Sequence, residues 1–258
     1  MTRHIQLQGV DNLRDFGGYA TASGRGLRAG RLYRSGHHHR ATDADLEALS
    51  GLGLKTIVDL RRTAEREREP NRTWPGFQAQ VIDNDIPDSV ESGWEEHLRG
   101  RDPTVELFRG MSREWYRRGP FEARIVDLYR RYFEALAETG GPILVHCAAG
   151  KDRTGLIVAF THHLAGVDRA DILDDYLLTN QLGLYETRVR GVGERIARIC
   201  GRAPTDEAVR AALGVEAEDL DAALDAIESR YGSIDAYLEQ VLGVDAGRRA
   251  ALEARLLG

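Results

Sequence analysis

Apolar positions recur along this chain with two different periods, and the change from one to the other marks its elements. "KTIVDL" (55–60), "QAQVID" (78–83) and "PILVHC" (142–147) are short runs rich in branched residues, the pattern of strands in a sheet. "GLRAGRLYRSG" (26–36) reads as strand, turn, strand, and residues 5–35 as a whole as short strands and turns. Helical spacing takes over in "TDADLEALSGLG" (42–53), where Thr42 caps and Asp45 stands at the third position. It is strongest in "FEARIVDLYRRYFEALAETGG" (121–141), whose Ile125, Leu128, Tyr129, Tyr132, Phe133 and Leu136 share a face before a Gly-Gly stop. "TGLIVAFTHHLAG" (154–166) is an apolar helix ending at glycine, and from residue 169 onward the chain reads as helical. Strands alternating with helices and followed by a helical C-terminal half predict an α/β layered fold.

Two stretches resist this reading. "RRTAERERE" (61–69) is a charged helix or loop, most of whose charges are expected on a solvated face. Residues 70–120 hold five of the seven prolines and scattered aromatics. They are expected to form an irregular excursion with short helices, either walling an active site or packing on itself at the surface.

Composition narrows the function. With 258 residues, 42% hydrophobic and 29% charged, the chain suits one domain, 1–258, able to bury a substantial core. The net charge of −6 offers no basic field for nucleic acid, so any anion site must be local. Two cysteines, Cys147 and Cys200, are too few for a disulfide framework. No apolar leader opens the chain, and no run approaches a membrane span. The expected location is cytoplasmic, although export without a leader leaves no such trace. Oligomeric state does not follow from the chain.

The chemistry concentrates in "HCAAGKDRTG" (146–155), which lies between a strand and a helix and spells H-C-x5-R. Five residues between Cys147 and Arg153 can curl the backbone so that its N–H groups point inward as an anion nest. Ala148, Ala149, Gly150 and Lys151 supply that backbone, and the following helix adds the positive end of its dipole. Gly150 permits the turn, and Arg153 can fork onto two phosphate oxygens. This environment favours the thiolate of Cys147. Thr154 is placed to donate a hydrogen bond to it, and His146 to order the loop from behind. Only two of the 35 basic residues are lysine, Lys55 and Lys151, which makes the loop's ammonium conspicuous. No Walker loop fits, since Val145 and Asp152 stand where Gly and Ser or Thr are needed. No redox C-x-x-C or zinc spacing is present, and no cofactor or metal is called for. "HHH" (37–39) is expected in a surface loop. The bland alternative for Cys147 is a buried core thiol.

These residues resemble the signature loop of cysteine-dependent protein-tyrosine phosphatases, most of all a bacterial branch acting on phosphotyrosine and phosphoinositides. "NLRDFGGY" (12–19), "LYRSG" (32–36), "TIVDLR" (56–61) and "DYLLTN" (175–180) resemble that family's other landmarks, in its order. The resemblance implies a central, mostly parallel sheet flanked by helices. It also implies a helical lid, here expected from the arginine-rich segment 184–200 and extending to about 213. Substrates would be phosphorylated proteins or phosphoinositides, hydrolysed through a phosphocysteine.

Such a reaction needs a proton donor. Asp152 is the first candidate, a role the resemblance also suggests for the loop aspartate. Asp59 is second, with pairing to an arginine as its alternative. Asp83, Asp85 and Asp88 come third and also read as turn residues. Lys151 and Arg153 together suit a substrate with more than one phosphate. Arg188, Arg190, Arg195 and Arg198 are either headgroup contacts or an exposed helix face. Two other functions remain open on the residues alone: a phosphate-binding module without catalysis, and another cysteine-cradle enzyme such as a sulfurtransferase or arsenate reductase.

Overall fold

The computed structural model describes residues 3–88, 94–182 and 185–258. Residues 89–93 of the expected excursion, and 183–184 at the start of the expected lid, lie outside them. The strands are β1 (Arg14–Asp15), β2 (Leu32–Ser35), β3 (Thr56–Asp59), β4 (Gln80–Ile82) and β5 (Ile143–His146). They form one sheet in the order β1-β2-β5-β3-β4, antiparallel only at β1 and β2. Of the strand, turn, strand read over 26–36, the second strand is β2, while the first is reduced to isolated bridges of Gly26 with Ala20 and of Leu27 with Leu257.

The helices that follow the strands are α1 (Asp43–Gly51), α2 (Thr63–Arg68), α3 (Trp94–Leu98), α4 (Val105–Arg118), α5 (Ala123–Glu138), α6 (Asp152–Ala165) and α7 (Arg169–Leu177). The helical half continues with α8 (Thr179–Leu182), α9 (Tyr185–Cys200), α10 (Asp206–Leu213), α11 (Ala217–Tyr231), α12 (Ile234–Gln240) and α13 (Ala246–Leu256). The cap read at α1 is a full capping box: Asp45 N–H donates to Thr42 Oγ1 at 3.1 Å, and Thr42 N–H to Asp45 Oδ2 at 2.9 Å.

Strand residues alternate between two cores, as their period of two demands. Leu32, Val58 and Val145 face the side covered by α5 and α6, where Tyr129, Tyr132, Phe133 and Phe160 are fully buried. Tyr33, Ile57 and Leu144 face α1 and pack with Leu46, Leu49 and Leu54. A third cluster joins α4 to α9 and α10 through Phe108, Ile196 and Val209. The parallel register sets Ser35, His146 and Asp59 side by side at the carboxyl ends of β2, β5 and β3. Ligand sites of open parallel sheets form in the crevice beyond such ends.

A buried ion cluster locks the antiparallel edge to the helical half. Asp175 of α7 takes Arg14 Nε at 3.1 Å and Arg34 Nη1 at 2.9 Å, all three side chains at most 1% exposed. Burial pushes the Asp175 carboxyl up, and the two guanidiniums more than reverse that, holding it well below the usual range. Removing one member leaves uncompensated buried charge, so Asp175→Asn should cost about 3–5 kcal/mol of unfolding free energy. Urea denaturation with circular dichroism checks this, and a loss under about 1 kcal/mol would show the cluster to be replaceable.

Candidate active site

The segment 147–151 leaves β5 and enters α6, and its carbonyls are anchored from outside. Cys147 O lies 3.1 Å from His146 Nδ1, Ala148 O accepts from His37 N–H at 3.1 Å, and Gly150 O accepts from Arg34 Nη2 at 2.7 Å and Asn12 Nδ2 at 2.8 Å. In a trans peptide each carbonyl opposes the next N–H. Outward carbonyls at 147, 148 and 150 therefore turn the N–H groups of Ala148, Ala149 and Lys151 inward, beside the N-terminus of α6. Gly150 makes this possible: its φ is +65°, and a Cβ there would stand 2.4 Å from Ser35 O.

Each landmark of the resemblance reaches this loop or its support. Asn12 and Arg34 hold Gly150 O, while Arg14 and Asp175 complete the ion cluster behind them. Asn12 also donates to Thr179 Oγ1 at 3.3 Å. Asp59 is buried with both oxygens on Arg61, whose Nε and Nη2 approach at 2.9 and 2.7 Å. Burial raises its pKa, but His146 and Arg61 bring it to about 2. The geometry thus gives Asp59 the arginine partner that was its alternative to catalysis.

His146 is fully buried. Asn71 Oδ1 accepts from His38 N–H, so its Nδ2 donates to His146 Nε2 at 3.1 Å, and the network assigns the imidazole proton to Nδ1, facing Cys147 O. The triple histidine is not at the surface as expected: His37 and His38 are buried, and the His38 ring lies 5.0 Å from that of His146. The tight turn after β2 folds them inward to support the loop.

Arg153 is gripped by a residue that the sequence did not single out. Glu65 of α2 accepts Nη1 at 2.6 Å and Nη2 at 2.9 Å. Burial works against both charges. Their mutual attraction prevails, driving Arg153 up and Glu65 below the ordinary carboxylate range. Among the described residues no partner takes the other edge of the guanidinium, Nε–H with the second Nη2–H. That edge is a second fork for an anion. The expected solvated face of 61–69 is corrected accordingly: only Glu67, Arg68 and Ala64 are exposed there, because Arg61 and Glu65 turn toward the loop. A glutamate at the third position of a helix was the available signal.

Asp152 opens α6 with its side chain 33% exposed; Tyr116 Oη donates to its Oδ1 at 3.1 Å, and Lys151 Nζ lies 3.4 Å from the same oxygen. The proline-rich excursion therefore does reach the site, through α4. Lys151 Nζ also donates to Gly214 O at 2.9 Å and Ala212 O at 3.3 Å, so the loop ammonium is fastened to the end of α10. The hydrogen bond expected from Thr154 to Cys147 is not formed. The Thr154 hydroxyl is buried in the first turn of α6 and has no partner among the described residues. Asp83 and Asp85 pair with Arg66. Asp88 pairs with Arg62 and Arg124, and Arg124 Nη1 shares the Leu60 carbonyl with Arg153 Nη1, so Asp88 stands one arginine away from the loop's own. Arg188 is not on an exposed face; it reaches the buried Asp11, whereas Arg190 is 90% exposed. Cys200 is buried and donates to Leu98 O.

Among the described residues no group of three or more His, Cys, Asp or Glu is arranged to hold a metal. No helix among them is long and apolar enough to cross a membrane.

The family model described as the tyrosine phosphatase family matches residues 5–258. The chain is 34% identical over 250 residues to a protein of Cupriavidus necator assigned as a tyrosine-protein phosphatase, covering 95% of this chain and 87% of that one. It is 33% identical to the triple specificity protein phosphatase PtpB of Mycobacterium tuberculosis, covering 98% of this chain and 97% of PtpB. The crystal structure of P. aeruginosa TpbA aligns over 76% of this chain and 96% of its own at 19% identity with a TM-score of 0.35, too loosely to bear on function.

The buried histidines carry a pH consequence. Burial, opposed in part by Glu69, holds His37 at about 4, against roughly 6.5 in an unfolded chain. Between these values the unfolded chain binds the extra proton, so this contribution is complete above about pH 6.5 and is lost as pH falls toward 4. Unfolding free energy from urea titrations should therefore fall between pH 7 and 5, and His37→Gln should flatten the slope. Equal slopes in both proteins would exclude His37 as the source.

Proposed function

We propose that this chain, which belongs to the tyrosine phosphatase family, hydrolyses phosphomonoesters of phosphotyrosine and, more broadly, phosphoserine, phosphothreonine and phosphoinositides through a phosphocysteine. The observation that carries the proposal is the outward anchoring of three loop carbonyls. It leaves inward N–H groups, the start of α6 and the open fork of Arg153 to meet an anion beside Cys147. The proposed single domain 1–258 supplies every part.

In the first step the Cys147 thiolate attacks phosphorus in line, and the bond to the leaving oxygen breaks. Asp152 gives its proton to that oxygen. In the second, water attacks phosphorus, Asp152 takes the proton from it, the S–P bond breaks and the thiolate is restored. The backbone and Arg153 hold the equatorial oxygens throughout, so positioning and charge stabilisation carry the reaction. Asp59 serves the loop by fixing Arg61 and by accepting from the Asn71 amide that holds His146. The triple specificity in the name of PtpB supports the wider substrate range. For Lys151 to meet a second phosphate it must release the carbonyls of α10.

Release of inorganic phosphate from aryl phosphates in the presence of a chelator tests the proposal. Cys147→Ser should lower turnover below detection while retaining phosphate binding. Asp152→Asn should lower kcat/KM about 10²–10⁴-fold for poor leaving groups and far less for good ones. Substantial turnover by Cys147→Ser would overturn the nucleophile, and the same dependence in Asp59→Asn would overturn the acid.

A further inference from the structure

Below Asp152 lies a chain of phenols. Tyr176 of α7 donates to the Tyr116 hydroxyl at 2.7 Å, and Tyr116 of α4 donates to Asp152 Oδ1 at 3.1 Å. Both rings are buried and meet edge to face, 6.2 Å apart between centroids. Because Tyr176 fills the acceptor side of the Tyr116 hydroxyl, the Tyr116 proton is committed to Asp152. Hydrogen bonds in series polarise one another, so the second phenol strengthens the first. Lys151 Nζ approaches Oδ1 as well, at 3.4 Å. Two donors thus converge on one oxygen of the carboxyl.

We propose that Tyr116, backed by Tyr176, is a positioning residue for the proton-transfer aspartate, holding Oδ1 as the acceptor oxygen so that Oδ2 alone carries the proton to the leaving group. This rests on the proposed reading of Asp152 as the acid. The proton passes from Oδ2 to the leaving oxygen as the P–O bond breaks. The electron pair left on the carboxylate is stabilised at Oδ1 by Tyr116 and Lys151. In the second step Oδ2 receives a proton from the attacking water as the S–P bond breaks. The same hydrogen bond therefore fixes the carboxyl rotamer in both halves of the cycle.

Other charged and titratable groups surround Asp152. Lys151 and Arg153 are its neighbours in sequence, and Arg153 is tied to Glu65. Asp219 of α11 faces the same cluster, with its Oδ2 on Glu216 N–H at 3.0 Å and the Ser112 side chain beside its carboxyl. Burial raises Asp219, and the Asp152 charge adds to that. The phenols are themselves pushed far above the usual tyrosine range, first by burial and then by Asp152, so they remain donors at every working pH.

The test compares kcat/KM for a series of aryl phosphates, since this parameter reports the first step. Tyr116→Phe keeps the ring and removes the donor. It should lower kcat/KM about tenfold for phenyl phosphate and less than twofold for dinitrophenyl phosphate, whose leaving oxygen needs no proton. Without the donor the carboxylate is less favoured, so the basic limb of the kcat/KM profile should move to higher pH. A residue that only packs would move neither. Tyr176→Phe should shift both readouts in the same direction by less. The double variant Tyr116→Phe/Tyr176→Phe leaves no phenol unpaired and guards against misfolding, checked by unchanged affinity for inorganic phosphate. If the wild type turns over, Asp152→Asn steepens the leaving-group dependence and Tyr116→Phe does not, the inference fails while the function stands. If the wild type releases no phosphate, or Asp152→Asn leaves that dependence unaltered, the functional reading itself fails and the inference with it.

Discussion

An anion nest is made by holding carbonyl oxygens away from it. A loop with bare N–H groups on one face must have its carbonyls satisfied on the other, and here that requirement organises much of the molecule. Arg34 reaches Gly150 O only because Asp175 cancels its charge, and Asp175 is supplied by a helix that follows α6. Asn12 reaches the same oxygen from a left-handed backbone turn ahead of β1. His37 arrives through the turn after β2, and His146 closes on its own neighbour. Three separate stretches of chain, around Asn12, Arg34 to His37, and Asp175, are thus committed to one short loop.

Charge around the loop is arranged in pairs that leave a net opening. Glu65 neutralises one edge of Arg153 and orients the other. Asp59 absorbs Arg61, and together they back the neutral His146. A free arginine would lose side-chain freedom on meeting a ligand; one already clamped by a carboxylate has little left to lose. The cost is desolvated charge at several points, tolerable because every member is paired.

Local physics was legible in the sequence. The capping box at α1, the branched runs of β3 and β5, the stripe of α5 and the glycine end of α6 each depend on residues a few positions apart. So does the loop, whose glycine, arginine and cysteine sit within seven residues. What could not be read depends on meetings across the fold. Glu65 looked like one more charge in an arginine-glutamate run: its third place in α2 sets it apart from Glu67 once the helix start is known, but its grip on Arg153 shows only in the fold. His38 looked like surface because nothing in "HHH" announces that the turn folds inward. Tyr116 lies 36 residues from Asp152, on a helix whose environment the proline-rich window obscured. Thr154 erred in the other direction: its spacing suited a bond to sulfur that the first turn of α6 does not form.

The level ends of β2, β3 and β5 set where this chain can change length. Ser35, His146 and Asp59 stand abreast, so adding or removing one residue inside any of these strands would carry an anchor past its partner and reverse the side chains beyond it. The amino ends of these strands lie away from the anchors. There the turn at 139–141, between α5 and β5, with Gly140 exposed, touches Lys55, Thr56 and Arg31. A fluorophore or affinity label inserted at that turn would report on the molecule from the far side of its sheet.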